Sequence, residues 1–154
     1  MRAHLDAVKS ALSANLSPSD PLIPSDPLTP SGTDIPIDLW APEPNRTPPF
    51  YSIEAPSWGS DPRMAVCGTP HGIEVSVRLR AVAGTPDGVE VMLRNARLAL
   101  GNGSTFKLSV AGRDADVTWE RAEFIGLDPD ATIPGTNRHP AVGVDTYTLT
   151  SQPT

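Results

Sequence analysis

Three histidines, one cysteine and eighteen carboxylates are the side chains of this 154-residue sequence that could bind a metal, carry a proton or attack a substrate. Their spacing builds none of the familiar centres. His4, His71 and His139 are far apart and stand among ordinary structural residues, so each reads as a surface histidine. Cys67 is alone, which excludes an internal disulfide and a cysteine-based metal cage within one chain. Asp128-Pro129-Asp130 opens like a calcium loop but lacks its third acidic position, its glycine and its terminal glutamate. A capped turn is the expected use of Asp128. Glu120 and Glu123, three apart on a regular strand, would face opposite ways, which is wrong for a shared acid–base site. Neither lysine follows a glycine-rich phosphate loop, and no G-x-S-x-G elbow or H-E-x-x-H helix occurs. The sequence makes no positive case for an enzyme, a metal or a cofactor.

Charge narrows the classes further. The net charge is -6, and the two lysines and ten arginines form no basic run, so a grip on nucleic-acid phosphates is disfavoured. Arg2, Asp6 and Lys9 interrupt what would have to be an apolar signal segment. No apolar run approaches the roughly 20 residues needed to span a bilayer. The expectation is a soluble protein made in a cytoplasm, without a membrane partner.

With no catalytic constellation, the weight falls on the elements. The stretch Gly72 to Gly101 is the most regular. Ile73, Val75, Val77, Leu79, Ala81 and Ala83 alternate with Glu74, Ser76, Arg78, Arg80 and Val82, the period of a half-buried strand. At Gly84 the period changes. Thr85 is suited to cap a helix, Pro86 to its first turn and Asp87 to its positive end. Val89, Leu93, Ala96 and Leu100 then recur at helical spacing until Gly101 ends the helix.

The rest arranges around this unit. Residues 1–16 read as a helix with a stripe of Leu5, Val8, Leu12 and Leu16, expected to dock on its own sheet because so short a helix is marginal alone. Phe50 to Ala55 reads as a short strand stopped by Pro56, followed by a loop from Trp58 to Pro70. After a turn at Asn102-Gly103, Ser104 to Val110 and about 115–125 form an expected hairpin around a second turn, Ala111-Gly112-Arg113-Asp114. The apolar phase shifts near Arg121, where a bulge is expected. A loop from Leu127 to Pro140 precedes a last strand from Val142 to Ser151. The sum is one α+β domain over 1–154, a mainly antiparallel β-sheet packed by an N-terminal helix and one central helix.

Residues 17–49 interrupt that plan with ten of the eighteen prolines. Pro18, Pro21, Pro24, Pro27 and Pro30 fall at every third position within a twice-written Pro-Ser-Asp-Pro-Leu unit. Polyproline II has three residues per turn, so the prolines share one edge, Asp20 and Asp26 a second, and Leu22 and Leu28 a third. A semi-rigid spacer and an arm lying on a neighbour both fit. Ile35 to Trp40 is too apolar for a free linker and is expected to pack.

The order of elements, rather than a motif, carries a resemblance. An N-terminal helix, the Phe50 to Pro56 segment, a loop closing on Cys67-Gly68, the Gly72 to Gly101 unit, a Trp-bearing hairpin and the final Val144 to Ser151 strand follow one another. This order, with Asp145-Thr146-Tyr147-Thr148-Leu149-Thr150 at its end, resembles the tail terminator proteins of long-tailed siphovirus phages infecting actinobacteria. The likeness covers residues 1–16 and about 50–154, and the proline segment departs from it. It implies a virion structural protein of the neck: a homohexameric ring that caps the head-proximal end of the tail. Such a ring stops polymerisation of the major tail tube protein and joins the head-side connector or stopper, while DNA passes through without specific binding. Another neck or tail component, such as a head-completion or minor tail protein, is the nearest alternative. A monomeric protein-binding module is the alternative from a different class. The residues expected to meet neighbours are Leu22, Leu28, Ile37, Trp40, Trp58, Arg63, Arg78, Arg80, Arg94, Arg97, Asp128 and Arg138.

Overall fold

The computed structural model describes residues 2–16, 35–60, 73–101, 106–110 and 113–151. Within them, period-2 and period-3.6 sequence become a sheet with two helices on one of its faces. The helices are α1 (Arg2–Asn15) and α2 (Pro86–Ala99), and the strands are β1 (Ile37–Leu39), β2 (Phe50–Ser60), β3 (Ile73–Ala83), β4 (Phe106–Val110), β5 (Arg113–Leu127) and β6 (Ala141–Ser151). The strands run in the order β1-β2-β3-β6-β5-β4. β1 lies parallel to β2 and every other pair is antiparallel, so the expected α+β class is the class observed.

β3 sits at the centre because its alternation is the cleanest. Val75, Val77, Leu79, Ala81 and Ala83 are buried on one face, and β6 pairs with it along the whole length from Ile73–Ser151 to Ala83–Ala141. Onto that face α2 lays Val89, Met92, Leu93 and Ala96, and α1 adds Leu5, Val8, Ala11 and Leu12. Tyr51 and Ile53 from β2, Val117 from β5 and Tyr147 and Leu149 from β6 complete one continuous core. The ends of α2 are made as its sequence specifies. Thr85 accepts a hydrogen bond from the Gly88 amide at 3.2 Å, and Gly101, at φ 104°, turns the chain where a side chain would be strained.

Four readings of the sequence are corrected. Pro56 does not stop its strand: the register slips between Glu54 and Ser57 and β2 continues to Ser60, so the residue without an N–H falls at the irregularity. Trp58, expected in a loop, therefore lies on β2 opposite Val75. His4 is not a surface histidine but is only 4 % exposed beneath the sheet, with Nε2 3.2 Å from the Ser151 hydroxyl. The bulge expected near Arg121 is present, as shifts between Trp119 and Arg121 and between Ala122 and Phe124. Those shifts void the alternation argument that separated Glu120 from Glu123. Arg113 and Asp114, expected in the second turn, instead open β5 opposite Val110 and Ser109, which leaves only 111–112 to connect the two strands. The proline repeat, His71, Cys67 and residues 102–103 and 111–112 lie outside the described residues.

Candidate functional site

Among the described residues, the second face of the sheet carries no helix. Along β3 it presents Glu74, Ser76, Arg78, Arg80 and Val82, the residues between the buried ones. At one end Phe50, Val82 and Val142 form a small buried apolar cluster. Toward the middle the face turns polar, and the segment after β1 folds over it to enclose a groove of about 560 Å³. Trp40, Pro42, Ser52, Arg78, Arg80 and Glu123 are among its walls.

Two features define this groove. The first is the backbone of Trp40. It adopts φ 70°, a left-handed conformation that a bulky residue rarely takes, while its amide donates to the Ile53 carbonyl at 2.7 Å. That conformation ends the β1–β2 pairing and leaves the indole 40 % exposed on the groove wall. The turn that follows is pinned by Arg46, which donates two hydrogen bonds to Asp38 at 2.7 and 3.0 Å and also reaches Glu43 at 3.1 Å. The guanidinium hydrogen bond to Asp38 raises the Arg46 pKa.

The second feature is the distribution of charge. Arg78 lies between two carboxylates, 3.4 Å from Glu123 and 3.9 Å from Glu54. Glu123 also accepts from the Thr146 hydroxyl at 2.9 Å and lies 3.6 Å from Arg121. The Thr146 hydrogen bond, then the neighbouring Arg78 and Arg121, hold the Glu123 carboxyl below its ordinary pKa. Arg80 has no ion-pair partner among the described residues and is exposed. The groove thus combines an aromatic wall, a neutralised carboxylate–arginine network and one uncompensated cation. That is binding chemistry, directed at an acidic group beside an apolar one.

The helix side contains a second charged cluster, with its carboxylate buried and its arginine partly exposed. Arg97 on α2 donates bidentately to Asp145 on β6 at 2.6 and 2.7 Å, with its guanidinium 5.0 Å from the centre of the Trp119 ring. Asp145 is fully buried. The neighbouring Tyr147 hydroxyl is buried without a well-formed hydrogen bond, and burial, reinforced by the Asp145 charge, drives its pKa far up. Tyr51 is likewise raised by burial, although its hydroxyl donates to the Met92 carbonyl at 2.8 Å. These groups link helix to sheet.

The residues expected to meet neighbours are therefore divided. Trp40, Arg78 and Arg80 come together in the groove. Arg94 is exposed on α2, on the opposite side of the sheet, so the strand and helix arginines do not form one charged face. Arg97 is corrected from a partner contact to an internal ion pair, because Asp145 needs a compensating charge. Ile37 is corrected likewise: β1 buries it in the core at 8 % exposure. Asp128 makes the expected capped turn, accepting from the Asp130 amide at 3.0 Å. Arg138 donates to the Gly84 carbonyl at 3.2 Å and helps tie the 128–140 loop to the end of β3. Leu22, Leu28 and Arg63 lie outside the described residues. Glu54, Glu123 and Thr146 were missed as site residues. Glu123 was hidden by the bulge, whereas a glutamate alternating with apolar neighbours at Glu54 was a visible signal. Among the described residues no group of three His, Cys, Asp or Glu could hold a metal.

No protein-family model matches the chain, and no curated protein does. Solved structures do match in fold. One aligns over 97 % of this chain and 96 % of its own, with a TM-score of 0.51 and 12 % sequence identity. At that identity the likeness concerns the fold alone.

Proposed function

We propose that this protein is a tail terminator of a long-tailed phage, a virion structural subunit that closes into a hexameric ring at the head-proximal end of the tail. In this reading the ring halts the tail tube protein and receives the head-side connector. The chain acts by contact, without a cofactor and without catalysis. The observation that carries the reading is the order α1, β2, β3, α2, β4, β5 and β6, which, with β1 left aside, is the order that the resemblance rests on. The uncovered sheet face adds support. A ring subunit joins one patch to a different patch on its neighbour, and a sheet whose two described helices share one side has two chemically different faces to offer. The acidic balance of -6 suits a bore through which DNA must slide.

Mass spectrometry and cryo-EM of purified virions test this directly. The expected result is six copies at the junction of tail and connector. A protein absent from particles, and monomeric whether or not tail tubes are present, would end the proposal. Six copies at another level of the neck would transfer it to a head-completion or minor tail role. The groove at Trp40 and Arg80 favours one reading of a different class, a monomeric module binding a soluble acidic partner. Recovery of such a partner by an obligate monomer would favour that module.

A further inference from the structure

We infer that the groove on the uncovered sheet face receives residues 17–34 of a second copy of this chain. The inference takes from the ring reading only that copies associate.

The groove offers Trp40, held outward by its left-handed backbone, and Arg80, the cation without an ion-pair partner among the described residues. Arg78 does not compete, because Glu54 and Glu123 already flank it. An occupant should therefore supply an acidic group and a flat apolar surface that stacks on indole. Extended proline-bearing segments are recognised this way, since aromatic walls accept proline rings and the segment loses little conformational entropy on docking.

Residues 17–34 carry that chemistry. They hold Asp20, Asp26 and Asp34, five prolines, and no Lys, Arg or His. The unit Pro-Ser-Asp-Pro-Leu repeats every six residues, two polyproline II turns, so the same acid–proline–leucine pattern recurs on one edge. Connectivity favours a second copy over the segment's own groove. The segment leaves from α1 in the helix layer and re-enters at β1, the sheet edge, whereas the groove lies on the opposite face. To fill its own groove it would have to pass the edge, cross the face and return. Proline at every third position opposes such a reversal and favours reach.

The test uses the full chain and a synthetic peptide of residues Ser17 to Asp34. Peptide is titrated into isotopically labelled protein and the Trp40 indole resonance is followed, with Trp119 as the reference on the other side of the sheet. Self-association is followed separately by sedimentation velocity. The expected result is a saturable shift at Trp40 and not at Trp119, weakened roughly fivefold or more by Arg80→Glu and by added salt. Arg80→Glu protein and Asp20→Arg/Asp26→Arg protein should each associate poorly alone and recover when mixed. Arg80 is exposed, so Arg80→Glu keeps the fold, and a native-like urea transition is required of each variant before it is scored.

Absence of a saturable Trp40 shift would overturn the inference. So would a shift that Arg80→Glu leaves unchanged, or a monomer whose own segment blocks the peptide. Virion rings that assemble normally with Arg80→Glu would overturn it while leaving the ring reading intact. Charge-swap rescue in a protein absent from virions would leave it standing and end the ring reading.

Discussion

The two faces of β3 are written by the same eleven residues and serve opposite ends. On the helix side Val75, Val77, Leu79, Ala81 and Ala83 are buried and in contact with one core. One residue along, on the other side, Arg78 and Arg80 stand over a groove of about 560 Å³. The helix side stabilises by area, at about 25 cal/mol per Å² of apolar surface removed from water, and loses heavily if a charge is introduced. The open side holds screened ion pairs, each worth little to stability, and is free to vary for recognition. Fold and contact surface are thus separated by the strand's own period, and a substitution's effect should depend on parity more than on position.

The sharpest break of that contrast is Val77→Asp. It places an unpaired carboxylate at a wholly buried position, a penalty of several kcal/mol against a total stability of roughly 5–15 kcal/mol. The variant should not fold, as read by loss of the cooperative urea transition. A folded Val77→Asp protein would mean that the faces are assigned the wrong way round.

Next in size is Arg97→Ala. Removing the guanidinium leaves the fully buried Asp145 without its bidentate donor and Trp119 without its cation. Arg97 is itself about a third exposed, so water can enter, and the loss should fall near the low end for a broken buried pair, about 3 kcal/mol. Urea unfolding measures it. Adding Asp145→Asn should recover part of the loss, because the stranded charge is then gone. Additive losses in the double variant would show that the two groups are not coupled.

A smaller effect on the same side comes from His4. The Ser151 hydroxyl donates to the Ile73 carbonyl at 3.3 Å, so it accepts from His4 Nε2–H, and the buried Nδ1 is left without a partner. Burial, with the nearby N-terminus, lowers the His4 pKa from 6.5. The neutral ring is therefore favoured in the folded state, and its contribution is fully present above about pH 6.5, where the unfolded chain is also neutral. It is lost as pH falls below that value toward the folded pKa, because the unfolded chain then binds the proton more readily. His4→Leu should flatten the stability-against-pH curve in that window. An unchanged slope would assign the acid sensitivity to other groups.

These contrasts also show what was readable beforehand. Alternation along β3 and helical spacing from Val89 to Leu100 are local patterns, and both elements appear where those patterns place them. Thr85, Pro86 and Gly101 are equally local, and they cap, start and end α2 as their chemistry specifies. What could not be read depends on partners distant in sequence. β1 is three residues long and parallel, too short for any period to reveal, yet it buries Ile37. Arg97 looked like a solvated helix residue until β6 brought Asp145 beneath it, although an aspartate within a Val/Thr/Tyr strand was itself a warning. The groove was legible only as fragments. Trp40, Arg78 and Arg80 were singled out, but the bulge that sets Glu123 against Arg78 is a register event between strands.

The smallest expected effect is the one that best separates the faces. Arg78→Ala removes the centre of the open-face network, releasing Glu54 and Glu123 into water. Unlike Asp145, neither carboxylate is stranded in a dry interior, and Glu123 keeps Thr146 and Arg121. Thermal and urea midpoints should therefore stay close to those of the native chain, in contrast to Arg97→Ala. The Glu123 pKa, followed by carboxyl NMR, should nevertheless rise, because Arg78 is one of the charges that hold it down. A large stability loss with Arg78→Ala would show that the open face is part of the folding core. An unmoved Glu123 pKa would show that the Arg78–Glu123 contact at 3.4 Å carries no electrostatic coupling. With both expectations met, the arginine sets the charge of the groove without holding up the sheet, which is the division of labour that the strand's alternation implies.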